Sequence, residues 1–394
     1  MTGLKRGGVR VVSWRIAAQV AAVAGIAACG LKGPPDGWEA GDADDASGTR
    51  PADVATAGTG ATSGGAGAGD PGHATGSTAS GAGGAGNPTG SAVSTGSGSG
   101  PSTGSGGNGG GTGSGGSGGV GGDGCYSEGH DLTASIADVK SGYSESQWLA
   151  SMLEVLDRRY HNGWFVLDAM KSDPWLLNDF PSYFDLSSWS GMAEALDTAC
   201  HEESHGYDFD AALSTPGSHV YYFGANLQVT APKLAFFGRD EILASIEAGG
   251  SVTAMYDETY LTGEQGSYDF IFLADELTAY TNGLACAVAV AGELPGPSSY
   301  RDGVAAHLYY LETYLKIART QHASLYAQWK AAPEWQKFVR YAWARWNYWM
   351  KLAAPFSKLG IDDAPIWQRV NQPQNLAEIQ QFTGDDAASV ACTP

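Results

Sequence analysis

Large apolar residues are concentrated in the last two thirds of the chain. Up to about residue 124 the sequence is dominated by Gly, Ser, Thr and Ala, whereas the part from Cys125 onward holds most of the Trp, Tyr, Phe and Leu. A segment without bulky apolar side chains cannot offset the entropy that is lost on ordering, whereas about 270 residues suffice for a sizeable core. The pattern predicts a disordered tether over 30–124 and a folded domain over 125–394.

Within the folded part, runs of helical periodicity are separated by turn signals. An alternating stretch over 219–229 predicts a pair of strands, and a helix or edge element is expected over 240–248. We therefore expect an α+β fold that is mainly helical, with a small sheet and C-terminal helices. The predicted helices cover 144–171, with a break near Asn162-Gly163, then 189–213, 268–291, 300–331 and 333–354.

The acidic balance of the chain limits its partners. Lys and Arg number 22 against 42 Asp and Glu, which gives a formal net charge of -20 at pH 7. Such a surface repels phosphate backbones, so nucleic acid is not expected as a partner, and the charge favours a soluble monomer.

The N-terminus has the pattern of an export signal. Basic residues from Lys5 to Arg15 precede a short apolar stretch over 16–28, which is too short to span a bilayer comfortably. The sequence Ile26-Ala27-Ala28-Cys29 resembles the lipobox of bacterial lipoproteins. The resemblance implies a signal peptide over 1–29 and a diacylated Cys29 that anchors the chain by its lipid alone, in the outer membrane or at the surface of a Gram-negative cell. The alternative is an ordinary cleaved signal followed by a chance cysteine.

Four cysteines follow Cys29, and an even number in an exported domain predicts two disulfides. They are Cys125, Cys200, Cys286 and Cys392. Three connectivities are possible, of which one joins the two ends of the domain and leaves the inner pair together. No Cys-x-x-Cys pattern is present, so a cysteine zinc site is not expected.

The predicted helix over 189–213 carries the motif His201-Glu202-Glu203-Ser204-His205. Residues four apart lie on one face of a helix, so the two imidazoles can reach one Zn²⁺ ion. The first glutamate of the motif lies beside them, where it can take a proton from metal-bound water. The alternative is a solvated helix end that carries a His/Glu cluster without a metal.

A catalytic zinc site needs a third protein ligand. The metzincin pattern is rejected, because the residues at its histidine and glycine positions are Ala211 and Asp208. Glu276 lies on a predicted apolar helix, where an unpaired carboxylate would be costly. Together with the earlier motif it resembles the gluzincin zinc peptidases. The chain departs from the thermolysin-like members at Tyr280, which replaces an Asp and is a candidate donor to the transition-state oxyanion.

The resemblance implies a zincin-like domain that uses Zn²⁺ to hydrolyse a peptide or protein substrate. His201, His205 and Glu276 would hold the metal, and Glu202 would act as the general base. Other candidate ligands stay open; they are Asp208, Asp275, His307 and His322. The competing hypothesis is a surface binding or adhesion domain without enzymatic activity, or a degenerate peptidase. The sequence leaves the substrate open.

Overall fold

The structure is a computed structural model. It describes residues 125–247 and 249–384, together with the backbone alone of 18–21, 26–29 and 119–120. The chain divides into a unit formed by 1–43 with 113–394 and a second unit over 44–112, which lies outside the described residues. Most of the predicted signal and tether, and Cys392, also lie outside them.

The described part of the chain is mainly helical, as the sequence predicts. Short 3-10 helices add to the α-helices and cover Glu145–Gln147, Phe180–Ser182, Arg239–Ser245 and Ser357–Leu359. The α-helices are α1 Ala137–Ser141, α2 Trp148–Arg159, α3 His161–Met170, α4 Pro174–Asn178, α5 Trp189–Leu213, α6 Ser251–Leu261, α7 Gly263–Gly266, α8 Phe270–Ala289, α9 Tyr300–Gln321, α10 Ala323–Ala331, α11 Pro333–Ala353, α12 Asp363–Val370 and α13 Pro373–Thr383.

The strands form antiparallel pairs. The sheet of the folded domain is the pair β5–β6, in which Ser218 faces Pro232 and Tyr221 faces Val229, with an irregularity between Tyr222 and Gly224. This pair confirms the predicted small sheet. The strands are β1 Ala18–Ala21, β2 Ile26–Cys29, β3 Gly119–Val120, β4 Tyr126–Ser127, β5 Ser218–Gly224 and β6 Leu227–Pro232, paired in that order.

Two helices at the centre of the domain begin where the sequence places a capping side chain. The Ser188 hydroxyl accepts a hydrogen bond from the Gly191 N–H at 3.1 Å at the start of α5. The Asp269 carboxylate accepts from the Ile271 N–H at 2.9 Å at the start of α8. Each cap satisfies a backbone donor that has no partner inside its helix, which fixes where these two helices start.

The predicted break in the first helix is real, but its position and its cause differ from the prediction. The helix is interrupted at Tyr160, between α2 and α3, whereas Gly163 lies inside α3. A Cβ at Gly163 would lie 2.7 Å from Cys286 Sγ and 2.8 Å from the Tyr160 ring. This glycine therefore permits close packing against the disulfide and does not end the helix.

The predicted helix over 300–331 is two helices. It is interrupted at His322, whose ring stacks on Phe237 with centroids 4.3 Å apart. Helical periodicity continues across the break, which is why the pattern did not reveal it. The helices α6, α12 and α13 were missed, because each is short and only one side of it is buried.

Helices α5 and α8 pack against each other along the middle of the core. Nine of the twenty residues of α8 are Ala, Gly, Thr or Cys, and nearly the whole helix is buried. The Cys200–Cys286 disulfide joins the two helices. Cys125 is also disulfide-bonded. Among the described residues, no helix is both long enough and apolar enough to cross a membrane.

Candidate metal centre

The two histidines of the motif face each other on α5. Their ring centroids lie 4.9 Å apart, and His201 Nε2 lies 3.1 Å from His205 Nε2. The helix continues without interruption to Leu213, so the motif lies inside a helix and not at a solvated end. His201 is buried and His205 is partly buried.

Helix α8 brings Glu276 to the same point. Its Oε2 atom lies 3.5 Å from His201 Nε2 and 3.7 Å from His205 Nε2. One ligand atom from each of the three residues can be chosen so that all lie within 4.8 Å of one another. The structure therefore brings together the three ligands that the sequence suggests, from positions about seventy residues apart, and this group could hold a metal ion.

A second carboxylate on α8 orients His205. Asp275 Oδ2 lies 2.7 Å from His205 Nδ1, and a carboxylate can only accept, so Nδ1 is the donor. With its proton on Nδ1, the neutral ring presents the Nε2 lone pair to the centre of the cluster. Metal-bound histidines in proteins are usually held by a carboxylate or carbonyl in this way.

Electrostatics within the cluster favour opposite charges on its members. Burial opposes the charged form of His205, but Asp275 and Glu276 outweigh it and raise the pKa of the imidazole well above its ordinary value. Burial likewise opposes ionisation of Glu276, but the two imidazoles hold the pKa of that carboxyl well below its ordinary value. A cation at this point would take over the role of the imidazolium proton.

The donor set fits a divalent metal. Neither carboxylate oxygen of Glu276 has a hydrogen-bond partner among the described residues, although the side chain is fully buried. A bound cation would satisfy these oxygens, which are costly to bury alone. Tetrahedral ligands at zinc-like bond lengths of ~2.0–2.1 Å lie ~3.3 Å from one another. The distances of 3.1, 3.5 and 3.7 Å within the cluster lie close to that spacing.

The two proposed catalytic side chains lie on the same helices as the ligands. Glu202 follows His201 on α5 and is buried. Tyr280 lies one turn after Glu276 on α8, and its ring packs edge-on against His201 with centroids 4.6 Å apart. The Tyr280 hydroxyl lies 2.8 Å from the hydroxyl of Tyr260 on α6, which fixes its position.

The other candidate ligands form hydrogen bonds and ion pairs with residues outside the cluster. Asp208 accepts hydrogen bonds from the Tyr222 N–H at 2.8 Å and the Thr278 hydroxyl at 3.3 Å, and so joins α5 to β5 and α8. His307 donates from Nδ1 to the carbonyl of Gly303 at 2.9 Å, and its ring packs against Tyr280 with centroids 4.5 Å apart. The fourth candidate, His322, pairs with Glu241 at 2.9 Å on the 3-10 helix that starts at Arg239.

A network of buried hydrogen bonds supports the helix that carries the motif. The Ser204 hydroxyl donates to the carbonyl of Cys200 at 2.6 Å and accepts from the Asn282 amide at 2.8 Å. Asn282 in turn accepts from Arg345 at 2.7 Å, and Arg345 pairs with Glu128 at 3.0 Å. This network connects α5 and α8 to α11.

These supporting residues were not predicted from the sequence. Asp275 was predicted only as a candidate ligand, whereas in the structure it accepts the hydrogen bond that orients His205. Ser204 has no predicted role, although it lies inside the motif. Its position between the two histidines of the motif was the one signal in the sequence. Arg345 and Asn282 carry no local signal, because their partners are distant in the sequence.

In comparisons with known proteins, no family model, no curated sequence and no solved structure matches the chain.

Proposed function

We propose that the chain is a zinc-dependent hydrolase of peptide bonds. The observation that carries this proposal is the convergence of His201 Nε2, His205 Nε2 and Glu276 Oε2 at one buried point, with no hydrogen-bond partner for the carboxylate among the described residues. Two imidazoles and one carboxylate form a ligand set that suits zinc, and three protein ligands leave one position of a tetrahedral site for water or substrate.

When bound, zinc would supply a water of lowered pKa and would polarise the scissile carbonyl. The remaining steps belong to the protein. Glu202 would take the proton of the attacking water at its carboxylate and deliver it to the leaving amine. The Tyr280 hydroxyl, held by Tyr260, would donate a hydrogen bond to the oxygen on which negative charge develops. Asp275 would keep His205 in the tautomer that the ligand role requires.

Metal analysis and peptide hydrolysis by the full chain test the proposal. The wild-type protein should hold one zinc per chain and cleave bonds in a peptide library of mixed sequence. His201→Ala should lose the zinc, whereas Glu202→Gln should keep it and lose hydrolysis by about 10²-fold or more. His161→Ala is the matched control, because His161 is partly exposed on α3, where it pairs with Asp157 at 3.4 Å and stacks on Trp164, and it has no part in the cluster.

Clean wild-type protein without zinc, and without a zinc-dependent rise in melting temperature, would end the proposal. Hydrolysis that survives in Glu202→Gln would remove Glu202 from its role and leave the metal site standing.

A second candidate is a metal-stabilised domain without enzymatic activity. The depth of the cluster favours it, since Glu276 is 0% exposed and His201 is 5% exposed. Substitution of cobalt for zinc separates the two hypotheses. If the absorption spectrum of the cobalt protein changes on addition of thiocyanate, a coordination position is open, as catalysis requires. An unchanged spectrum together with an uncleaved library favours the structural site.

We also propose that the chain is exported and held at a bacterial surface by lipid on Cys29, with the Gly/Ser-rich segment as a spacer. The support is the basic, apolar and lipobox pattern of the first thirty residues. Incorporation of labelled palmitate should occur in the wild-type chain and be abolished in Cys29→Ala. Equal labelling of the two would remove the anchor.

A further inference from the structure

A fully buried arginine is linked to the metal cluster through two tyrosines. Arg239 is 0% exposed and forms no ion pair with any described carboxylate. Its Nε atom donates to the carbonyl of Gln265 at 2.8 Å, and Nη2 donates to the side-chain oxygen of the same residue at 2.5 Å. Its Nη1 atom has no partner in the described part of the chain. The guanidinium is thus fixed in orientation, while Nη1 is buried without an acceptor among those residues.

A layer of tyrosines separates this guanidinium from the metal ligands. The Arg239 Cζ atom lies 5.4 Å from the centre of the Tyr260 ring. The Tyr260 hydroxyl meets that of Tyr280, whose ring packs on His201. Burial lowers the pKa of Arg239, and the charge of Glu276 is the largest influence that opposes this fall. The arginine and the metal cluster therefore belong to one electrostatic environment.

The charge of Arg239 needs an anion once a cation is bound. A buried guanidinium without a counter-ion is costly. A carboxylate that coordinates a divalent metal can no longer balance the arginine, and Glu276 is the ligand carboxylate. Asp269 also feels the charge of Arg239, but it caps α8 and forms no ion pair with the guanidinium among the described residues. An anion bound at Nη1 would supply both the missing acceptor and a direct counter-charge.

We propose that Arg239 binds a carboxylate of the substrate, so that the site selects peptides that carry a carboxylate close to the cleaved bond. The planar fork of a guanidinium matches a carboxylate in geometry, and a dry setting strengthens the pair. The carboxylate can be the C-terminus of the peptide or the side chain of an Asp or Glu. This inference rests on the proposed hydrolase function, because it requires a substrate whose cleaved bond lies at the zinc ligands.

Peptide binding to the zinc-loaded full chain carrying Glu202→Gln tests the inference without turnover. Titration calorimetry would compare three peptides: one with a free C-terminus, the same sequence amidated, and the amidated sequence with Glu in place of its last residue. The amidated peptide should bind at least about 10-fold more weakly than the free acid, since a hydrogen bond to a charged group contributes about 1.5–3 kcal/mol. If the third peptide recovers affinity, the side chain is an accepted source of the carboxylate; if it does not, the C-terminus is the source.

Variants assign the effect to the arginine. Arg239→Gln should bind the free acid and the amide equally, and Arg239→Lys should keep part of the preference. Arg319→Gln is the matched control, because Arg319 lies near the surface and pairs with Glu378, and it should keep the whole preference. Retention of the full preference in Arg239→Gln would overturn the assignment.

Equal affinities for all three peptides in the protein that retains Arg239 would also overturn it, and this comparison does not require any Arg239 variant to fold. Zinc analysis of the same preparation keeps the two proposals apart. Stoichiometric zinc without a carboxylate preference removes the subsite and leaves the hydrolase. A carboxylate preference in protein that cannot hold zinc removes the hydrolase.

Discussion

Gly283 on α8 lies directly against His201 on α5. A Cβ at Gly283 would lie 3.4 Å from the His201 Cβ and 3.2 Å from the carbonyl oxygen of Asp197. The two helices approach this closely because the residue between them has no side chain. The approach brings Glu276, two helical turns earlier on α8, within reach of the two histidines.

Gly283→Val should weaken both the fold and metal binding. The branched side chain forces α5 and α8 apart, and such overpacking costs about 1–3 kcal/mol. We expect a lower melting temperature and weaker zinc retention in a chelator competition. Gly292→Val is the matched control, because nothing lies within 4 Å of a Cβ at Gly292. Unchanged zinc affinity in Gly283→Val would show that the helix approach does not set the ligand geometry.

Asp275→Asn should reduce zinc affinity while the fold stays intact. An amide is a weaker acceptor than a carboxylate, so the bond that fixes His205 loses strength. Loss of such a partner typically lowers metal affinity about 10–100-fold. Chelator competition measures the affinity, and circular dichroism reports the fold. Asp168→Asn, which breaks only a surface pair with Lys171, should leave the affinity unchanged.

Replacement of both cysteines in Cys200→Ala/Cys286→Ala should destabilise the domain. The disulfide joins the two ligand-bearing helices across a sequence separation of 86 residues. A disulfide typically contributes about 2–4 kcal/mol to stability. We expect a lower midpoint in urea unfolding and faster loss of zinc to a chelator. A midpoint equal to that of the wild type would contradict the stabilising role.

Glu312→Gln should stabilise the domain at neutral and alkaline pH. Glu312 is buried on α9, neither of its oxygens has a partner among the described residues, and burial together with the charge of Glu378 raises its pKa well above the ordinary value. The folded state therefore holds the proton more tightly than the unfolded state does. The wild type is then most favoured below the unfolded-state pKa of 4.5 and loses that stability as the pH rises through the folded-state value.

Melting curves at several pH values check this sign. The variant should melt above the wild type at pH 8, by at least about 2 °C for a domain of this size, and the difference should vanish near pH 4. Glu334→Gln at the exposed start of α11 should show no such dependence. A difference that grows as the pH falls would mean that the Glu312 carboxylate has a charged partner in the fold.

The local sequence pattern by itself determined the helical character of the fold and the placement of the motif on one helix. Helix α5 begins and ends where its periodicity predicts, and α8 does so to within two residues at each end. These elements are decided by contacts within a few residues of each other, which the sequence displays directly. The spacing of His201 and His205 likewise follows from helix geometry alone.

Only tertiary packing decided which distant groups meet the motif. Nothing near Glu276 in the sequence shows that α8 lies against α5, because that depends on a glycine and a disulfide in contact across the core. The pairing of Asp275 with His205 likewise joins two separate helices. The contact of Arg239 with the Tyr260 ring also depends on side chains from separate elements. Periodicity shows which face of a helix or strand is buried, but it does not show which other helix or strand packs against that face. The packing of the whole core determines that partner.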